Sequence, residues 1–195
     1  MPNFKKLAKN YEKIALNALQ EDIRIPSVYD ASTIKKGQPF GANVKKALDY
    51  LAKLGKDYGF KVDTCDGYCT ELTIGEEGPL IGIYGHSDVV PATGKWEHSP
   101  WLPIVKDGKM VCRGCADDKG PLIASLYAIK LLKDNGLIKG YRVRLVSGGD
   151  EERGSSCLNY YFHTLHKKDC DYGFTPDADW PLIYGEKAIR RATLT

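Results

Sequence analysis

Pro79-Leu80-Ile81-Gly82-Ile83-Tyr84, running straight into Gly85-His86-Ser87-Asp88, is the stretch whose reading decides the fold. A short, nearly continuous apolar run is what a strand covered on both faces looks like, and such strands belong to α/β sheets. Downstream, Pro121 opens a helical pattern carrying Leu122, Leu126, Ile129 and Leu132, with Gly136 after its end. Tyr141 to Ser147 then reads as a second core strand, Ser156 to His166 as a helix and Tyr172 to Thr175 as a further strand. Upstream, Phe4, Leu7, Tyr11, Ile14, Ala18 and Leu19 recur at helical spacing and the pattern stops before Ile25-Pro26. A second helix is expected from about Val44 to Tyr58, followed by short strands at Phe60 to Thr64 and Glu71 to Ile74. Asp107-Gly108-Lys109 between Trp101 to Lys106 and Met110 to Arg113 predicts a hairpin. Strands alternating with helices imply an α/β fold, a mostly parallel sheet with helices on both faces.

The chain has 195 residues, enough for one domain with its own core, and 43% hydrophobic against 27% charged residues excludes disorder and fibrous structure. A net charge of +3, scattered along the chain, gives no reason to expect nucleic acid or an anionic membrane as partner. The densest apolar stretches are too short to span a bilayer, and Lys5, Lys6, Lys9, Glu12 and Lys13 interrupt any signal-peptide core. Six cysteines without a signal peptide read as reduced thiols, so a soluble, cytoplasmic protein is expected.

Chemistry-bearing residues fall where these strands end: His86 and Asp88, Asp117 and Asp118, Asp150 to Glu152, then Asp177 and Asp179. In an open α/β sheet the loops after strand C-termini form the ligand crevice, so four loops can bring these groups together. Carboxylates converging in one crevice repel unless a cation sits among them, and only Lys119 and Arg153 are basic in these loops. One imidazole among carboxylates suits zinc, and equally cobalt or manganese. Asp88, two residues from His86, is placed to take the free ring N–H and fix the metal-binding tautomer. A carboxylate such as Asp117 can bridge two ions that polarise a carbonyl and activate water, while one of Glu151 and Glu152 ligates and the other carries the proton.

Each element also has a plainer reading. His-x-Asp occurs as a surface hydrogen bond, Asp-Glu-Glu as a solvated loop, and Asp117-Asp118 as acidic residues favoured at a helix N-terminus. Cys65, Cys69, Cys112 and Cys115 offer an alternative four-thiolate zinc site, making the chain a structural module. Arg142, Arg144, Arg190 and Arg191 offer a weak nucleic-acid reading, against which they lie in strand-like segments as ordinary solvent-facing positions.

Gly85-His-Ser-Asp-Val-Val-Pro91, Arg113-Gly-Cys-Ala-Asp-Asp-Lys-Gly120, Gly149-Asp-Glu-Glu-Arg-Gly154 and Thr175-Pro-Asp-Ala178 resemble the successive motifs of the dinuclear zinc metallopeptidase family of aminoacylases, desuccinylases and carboxypeptidases. Ile25 to Val28, Lys106 to Lys109, Leu158 to Phe162 and Pro181 to Lys187 are most similar to its bacterial PepV-type dipeptidase branch, related to carnosinases. The resemblance implies that His86 and Asp177 hold one zinc, Asp117 bridges, Glu152 belongs to the second zinc, Glu151 is the general base and Asp88 orients His86. It also implies a cis peptide at Asp117-Asp118 and no specific role for Asp118. It makes residues 1–195 the N-terminal part of a catalytic domain, with the lid domain, a further histidine ligand and the C-terminal catalytic part absent. The implied activity is dipeptide hydrolysis, with N-acyl amino acid hydrolysis or a non-catalytic metal-binding fragment as alternatives. An incomplete domain is also expected to bind metal but turn over poorly, and to self-associate through uncovered surfaces.

Overall fold

The computed structural model describes residues 2–178 and 183–185. Asp179, Arg190, Arg191 and most of the segment 181–187 lie outside the described residues.

Helix α1 (Phe4–Ile23) is capped by Asn3, whose side chain accepts from the Lys6 N–H at 3.0 Å. Helix α2 (Ala42–Asp57) follows, then strands β1 (Lys61–Asp63), β2 (Cys69–Ile74) and β3 (Leu80–His86). The hairpin is present but small, β4 (Val105–Lys106) and β5 (Lys109–Met110) being two residues each. The flanking residues expected to extend it carry exposed Leu102, Ile104 and Val111, with no sheet face to pack on. Helix α3 (Lys119–Asp134) leads into β6 (Arg142–Gly148), a four-residue helix α4 (Ser156–Asn159) continuing as a π turn through Tyr160–Thr164, and β7 (Tyr172–Phe174).

The five-stranded sheet runs β1-β2-β6-β3-β7. β6, β3 and β7 pair in parallel, and β2 is antiparallel to both of its neighbours, so β2 alone runs against the other four. The parallel pair β3 and β6 is joined through α3, the kind of crossover a parallel connection requires. One face buries Leu72, Ile83, Val143 and Leu145 beneath Leu51 and Leu54 of α2 and Leu122, Ile123 and Leu126 of α3. Outside this layer α1 lies on α3. On the other face Cys69 and Val146 pack with Cys157 and Tyr161 of the α4 segment, so helical structure covers both faces.

That second face explains Arg144, which is buried rather than solvent-facing. Its guanidinium donates to Tyr84 Oη at 2.9 Å and the Lys168 carbonyl at 2.7 Å and lies over the Tyr161 ring. The cysteines are all free thiols, and among the described residues they form no four-thiolate cluster: Cys65, Cys69 and Cys157 share one core, while Cys115 Sγ donates to the Cys112 carbonyl. Among the described residues no helix is long and apolar enough to cross a membrane.

Candidate metal centre

Because β3, β6 and β7 are parallel, their C-terminal ends open on the same edge of the sheet. The edge is knitted before any site residue is reached. Ser87 N–H donates to the Gly148 carbonyl at 2.9 Å, Ser87 and Ser147 hydroxyls meet at 2.6 Å, and Ser27 donates to the Ser87 carbonyl at 2.6 Å. His86, the last residue of β3, is 1% exposed. Its Nδ1 lies 2.9 Å from the Asp88 backbone carbonyl and 3.4 Å from Asp88 Oδ1. A carbonyl only accepts, so Nδ1 carries a proton and Nε2 is turned to the crevice, where it offers a lone pair whenever the ring is neutral.

Nε2 is buried, has no hydrogen-bond partner among the described residues, and lies 3.0 Å from Asp117 Oδ1, 3.3 Å from Asp177 Oδ2 and 3.9 Å from Glu151 Oε2. One ligand atom from each of His86, Asp117 and Asp177 falls within 4.8 Å of the others, the one such group among the described residues. Residues 31 and 60 positions apart are thereby brought together. A lone pair aimed at carboxylate oxygens at these distances is repulsive unless a proton or a cation lies between. Ligand atoms at about 2.0–2.2 Å around a tetrahedral ion stand roughly 3.3 Å from one another, close to the 3.0 and 3.3 Å from Nε2 to Asp117 and Asp177.

Among the described residues no side-chain cation is free to take that place. Lys119, one of the two basic residues of these loops, points away into the protein and ion-pairs with Asp22 at 3.2 Å, and the other, Arg153, lies 4.0 Å over the ring of Tyr29. The electrostatics reflect the deficit. Burial works to lower the pKa of His86, but hydrogen bonding to Asp88 and the charges of Asp88 and Asp118 outweigh it and carry it to about 10. Burial raises Glu151, with Asp177, Asp88 and Asp117 adding to the rise and His86 opposing it, and burial followed by the Asp117 charge raises Glu152. Carboxylates crowded around one imidazole without a cation among them are raised in this way.

The remaining acidic residues divide into distinct tasks. The Asp88 carboxylate, 4% exposed, accepts from the backbone N–H groups of Glu151 at 3.0 Å and Glu152 at 3.2 Å, so it ties the loop after β3 to the turn after β6. It therefore shares the orientation of His86 with its own backbone carbonyl, a partner that side-chain pattern does not reveal. Asp150 stands apart from the cluster: it accepts from the Ser156 hydroxyl and from the Ser156 and Cys157 N–H groups, holding the start of α4. Asp117 and Asp118 sit at the N-terminus of α3 rather than after a strand of the main sheet, and the bond between them is cis. Asp118 makes no side-chain cap there; its Oδ2 accepts from the His86 backbone N–H at 3.0 Å. Burial pushes its pKa up to about 7 against that bond and the charge of His86. A Cβ at Gly85 would lie 2.4 Å from the same oxygen, so only glycine admits Asp118 this close to β3. Asp118, assigned no specific role from sequence, thus supports the backbone of His86, and Gly85 before the histidine is the one trace of that contact in the sequence.

A family model described as Peptidase family M20/M25/M40 matches residues 82–189. "Putative dipeptidase YtjP" of Bacillus subtilis (strain 168) is 41% identical over 175 residues, covering 90% of this chain and 37% of that protein. "Putative dipeptidase SAUSA300_1697" of Staphylococcus aureus (strain USA300) is 36% identical over 186 residues, covering 95% and 39%. The chain thus spans less than two fifths of the length of these curated relatives. Among solved structures, human carnosine dipeptidase 1 superposes with a TM-score of 0.75 at 21% identity, over 91% of this chain and 41% of that one. An M20 family metallo-carboxypeptidase, Sso-CP2 of Sulfolobus solfataricus, gives 0.71 at 26% identity over 84% and 37%.

Proposed function

The chain belongs to peptidase family M20/M25/M40, and from that membership we propose that it is the N-terminal part of a metallo-dipeptidase catalytic domain that holds two zinc ions, with cobalt or manganese as substitutes. The observation that carries the proposal is the buried His86 Nε2 facing Asp117 and Asp177, with neither a hydrogen-bond partner nor a Lys or Arg side chain between them among the described residues. Dipeptides are the substrate class because the relatives that align over nine tenths of this chain are named dipeptidases.

In this reading His86, Asp117 and Asp177 hold the first ion, and Asp117 with Glu152 begins the second site. Bound ions would supply Lewis acidity toward the scissile carbonyl and lower the pKa of water. The chain's own residues do the rest. Asp88 and its carbonyl keep Nδ1 protonated, so that Nε2 stays available as a ligand. Asp88 also fixes the backbone of Glu151, keeping that carboxylate on the rim of the cluster, 3.9 Å from Nε2. Glu151 is the general base. Its pKa is raised by burial and by neighbouring carboxylates, which moves it toward the neutral range where a base accepts and returns a proton most effectively.

Three protein ligands suit a catalytic zinc with one open position, whereas Asp117 and Glu152, the two candidates for the second ion among the described residues, make a weak second site. This chain therefore binds one ion tightly and hydrolyses dipeptides slowly or not at all. The test is zinc and cobalt titration of the 195-residue chain alongside hydrolysis of a dipeptide panel and N-acetyl amino acids. One tight ion with little turnover is expected. Two tight ions with dipeptide turnover abolished by Glu151→Ala would overturn the weak second site, and turnover of N-acyl amino acids alone would overturn the dipeptide reading.

A further inference from the structure

Three successive residues of one turn point in three directions. Asp117 faces His86 Nε2, Asp118 reaches the His86 backbone, and Lys119 enters a compartment closed to solvent, with 0% exposure. There Lys119 Nζ donates to the Asp22 carbonyl at 2.8 Å and the Ile25 carbonyl at 2.9 Å, and lies 3.2 Å from Asp22 Oδ1. An ammonium has three protons, and three oxygens surround this one. We propose that Lys119, held by the C-terminal end of α1, is a positioning residue that fixes the turn carrying the Asp117 carboxylate against His86. The proposal rests on the metal reading above.

Several observations make the anchor rigid. The acceptors are the carbonyls of Asp22, in the last turn of the 20-residue helix, and Ile25, two residues past its end, where positive charge is favoured. Helix α1 lies along α3, so both ends of the link belong to packed helices. The turn also folds tightly on itself, since a Cβ at Gly120 would lie 2.1 Å from the Cys115 carbonyl. The turn is thus confined to move with Lys119.

A buried cation is not needed to fill space there. An apolar residue of similar volume would avoid its desolvation, which works to lower the Lys119 pKa. What methionine cannot supply is two directed hydrogen bonds and an ion pair. Nor does Lys119 neutralise the site, because its charge is spent on α1, 97 residues back from it in the case of Asp22. Its effect on Asp117 is geometric.

The test is cobalt(II) titration of the 195-residue chain, followed by the visible d–d bands and by metal competition, with thermal melts in parallel. Asp22→Asn keeps both carbonyl acceptors and is expected to bind within about three-fold of wild type with unchanged bands. The double variant Asp22→Leu/Lys119→Met leaves no buried unpaired charge, so it should fold. It is expected to lose about ten-fold or more in affinity, the scale seen for groups that support metal ligands, and to show altered band intensity. Lys119→Gln, which keeps two donors, should fall between and serves if the double variant does not fold. A lower melting temperature with wild-type affinity and bands in both Lys119 variants would overturn the proposal, reducing Lys119 to a fold element. Failure of the wild-type chain to bind cobalt would instead overturn the metal reading, and this inference with it.

Discussion

Replacing Asp88 by asparagine keeps shape and volume and changes only what the carboxylate accepts. In the native chain its two oxygens take the N–H groups of Glu151 at 3.0 Å and Glu152 at 3.2 Å, in a side chain 4% exposed. Hydrogen bonds to a buried charged group contribute about 1.5–3 kcal/mol each. Asparagine retains one acceptor and turns an NH2 toward the other N–H, so one bond is lost and a donor is left facing a donor. A loss of about 2–4 kcal/mol follows, against a total stability of about 5–15 kcal/mol. For a chain of this size that is a fall of roughly 5–15 °C in melting temperature. Neutralising one member of a carboxylate cluster relieves some repulsion, so the metal-free chain should show the lower figure and the metal-loaded chain the higher. The turn carrying Glu151 and Glu152 also loosens, and metal affinity should drop about 10- to 100-fold. Urea melts with and without zinc and a zinc competition titration measure both quantities. An Asp88→Asn chain with wild-type urea midpoint and wild-type zinc affinity would refute the assignment of Asp88 as the clamp between the two loops.

Gly85→Ala should weaken metal binding and lower stability by about 1–3 kcal/mol, because the added methyl meets the buried Asp118 carboxylate; calorimetric titration and melts check it. The metal-free chain should become less stable as pH rises. His86, carried to about 10, and Asp118, pushed to about 7, both have folded values above their unfolded ones. The folded state therefore holds more protons from about pH 4 to pH 10, and their contribution is lost as pH climbs through the folded values. Zinc competes for the same positions, so melts at pH 6 and pH 8 should slope downward with chelator and upward with zinc. Glu151→Gln should leave ion affinity within a few-fold of wild type while removing whatever dipeptide turnover the loaded chain shows, by 100-fold or more, read by a coupled ninhydrin assay.

Much of the scaffold is legible residue by residue. The apolar run from Pro79, the helical spacing after Pro121 and the run from Tyr141 each correspond to an element of the sheet or its cover, because local pattern and tertiary burial agree there. Agreement fails where a partner is distant or belongs to the backbone. Nothing in the Asp-Lys-Gly string shows that Lys119 turns to α1, since its acceptors are carbonyls that every residue has. Arg144 looks like an outward strand position until the α4 segment covers that face and supplies Tyr161. Asp150 reads as part of an acidic cluster, but caps α4 because Ser156 and Cys157 offer donors at once. The crevice itself was readable for a different reason. In a parallel sheet, chemistry gathers where strands end, and His86, Glu151 and Asp177 follow three neighbouring ones, with Asp117 completing the group from the start of α3.

The central claim, that His86 Nε2 is a metal ligand, is tested most directly by anomalous diffraction at the zinc edge from crystals grown with zinc. The account predicts a peak about 2.0–2.1 Å from His86 Nε2, shared with Asp117 and Asp177, and lost in His86→Ala. A zinc-soaked crystal with no anomalous peak there, and His86 Nε2 bonded instead to a protonated carboxyl, would contradict it.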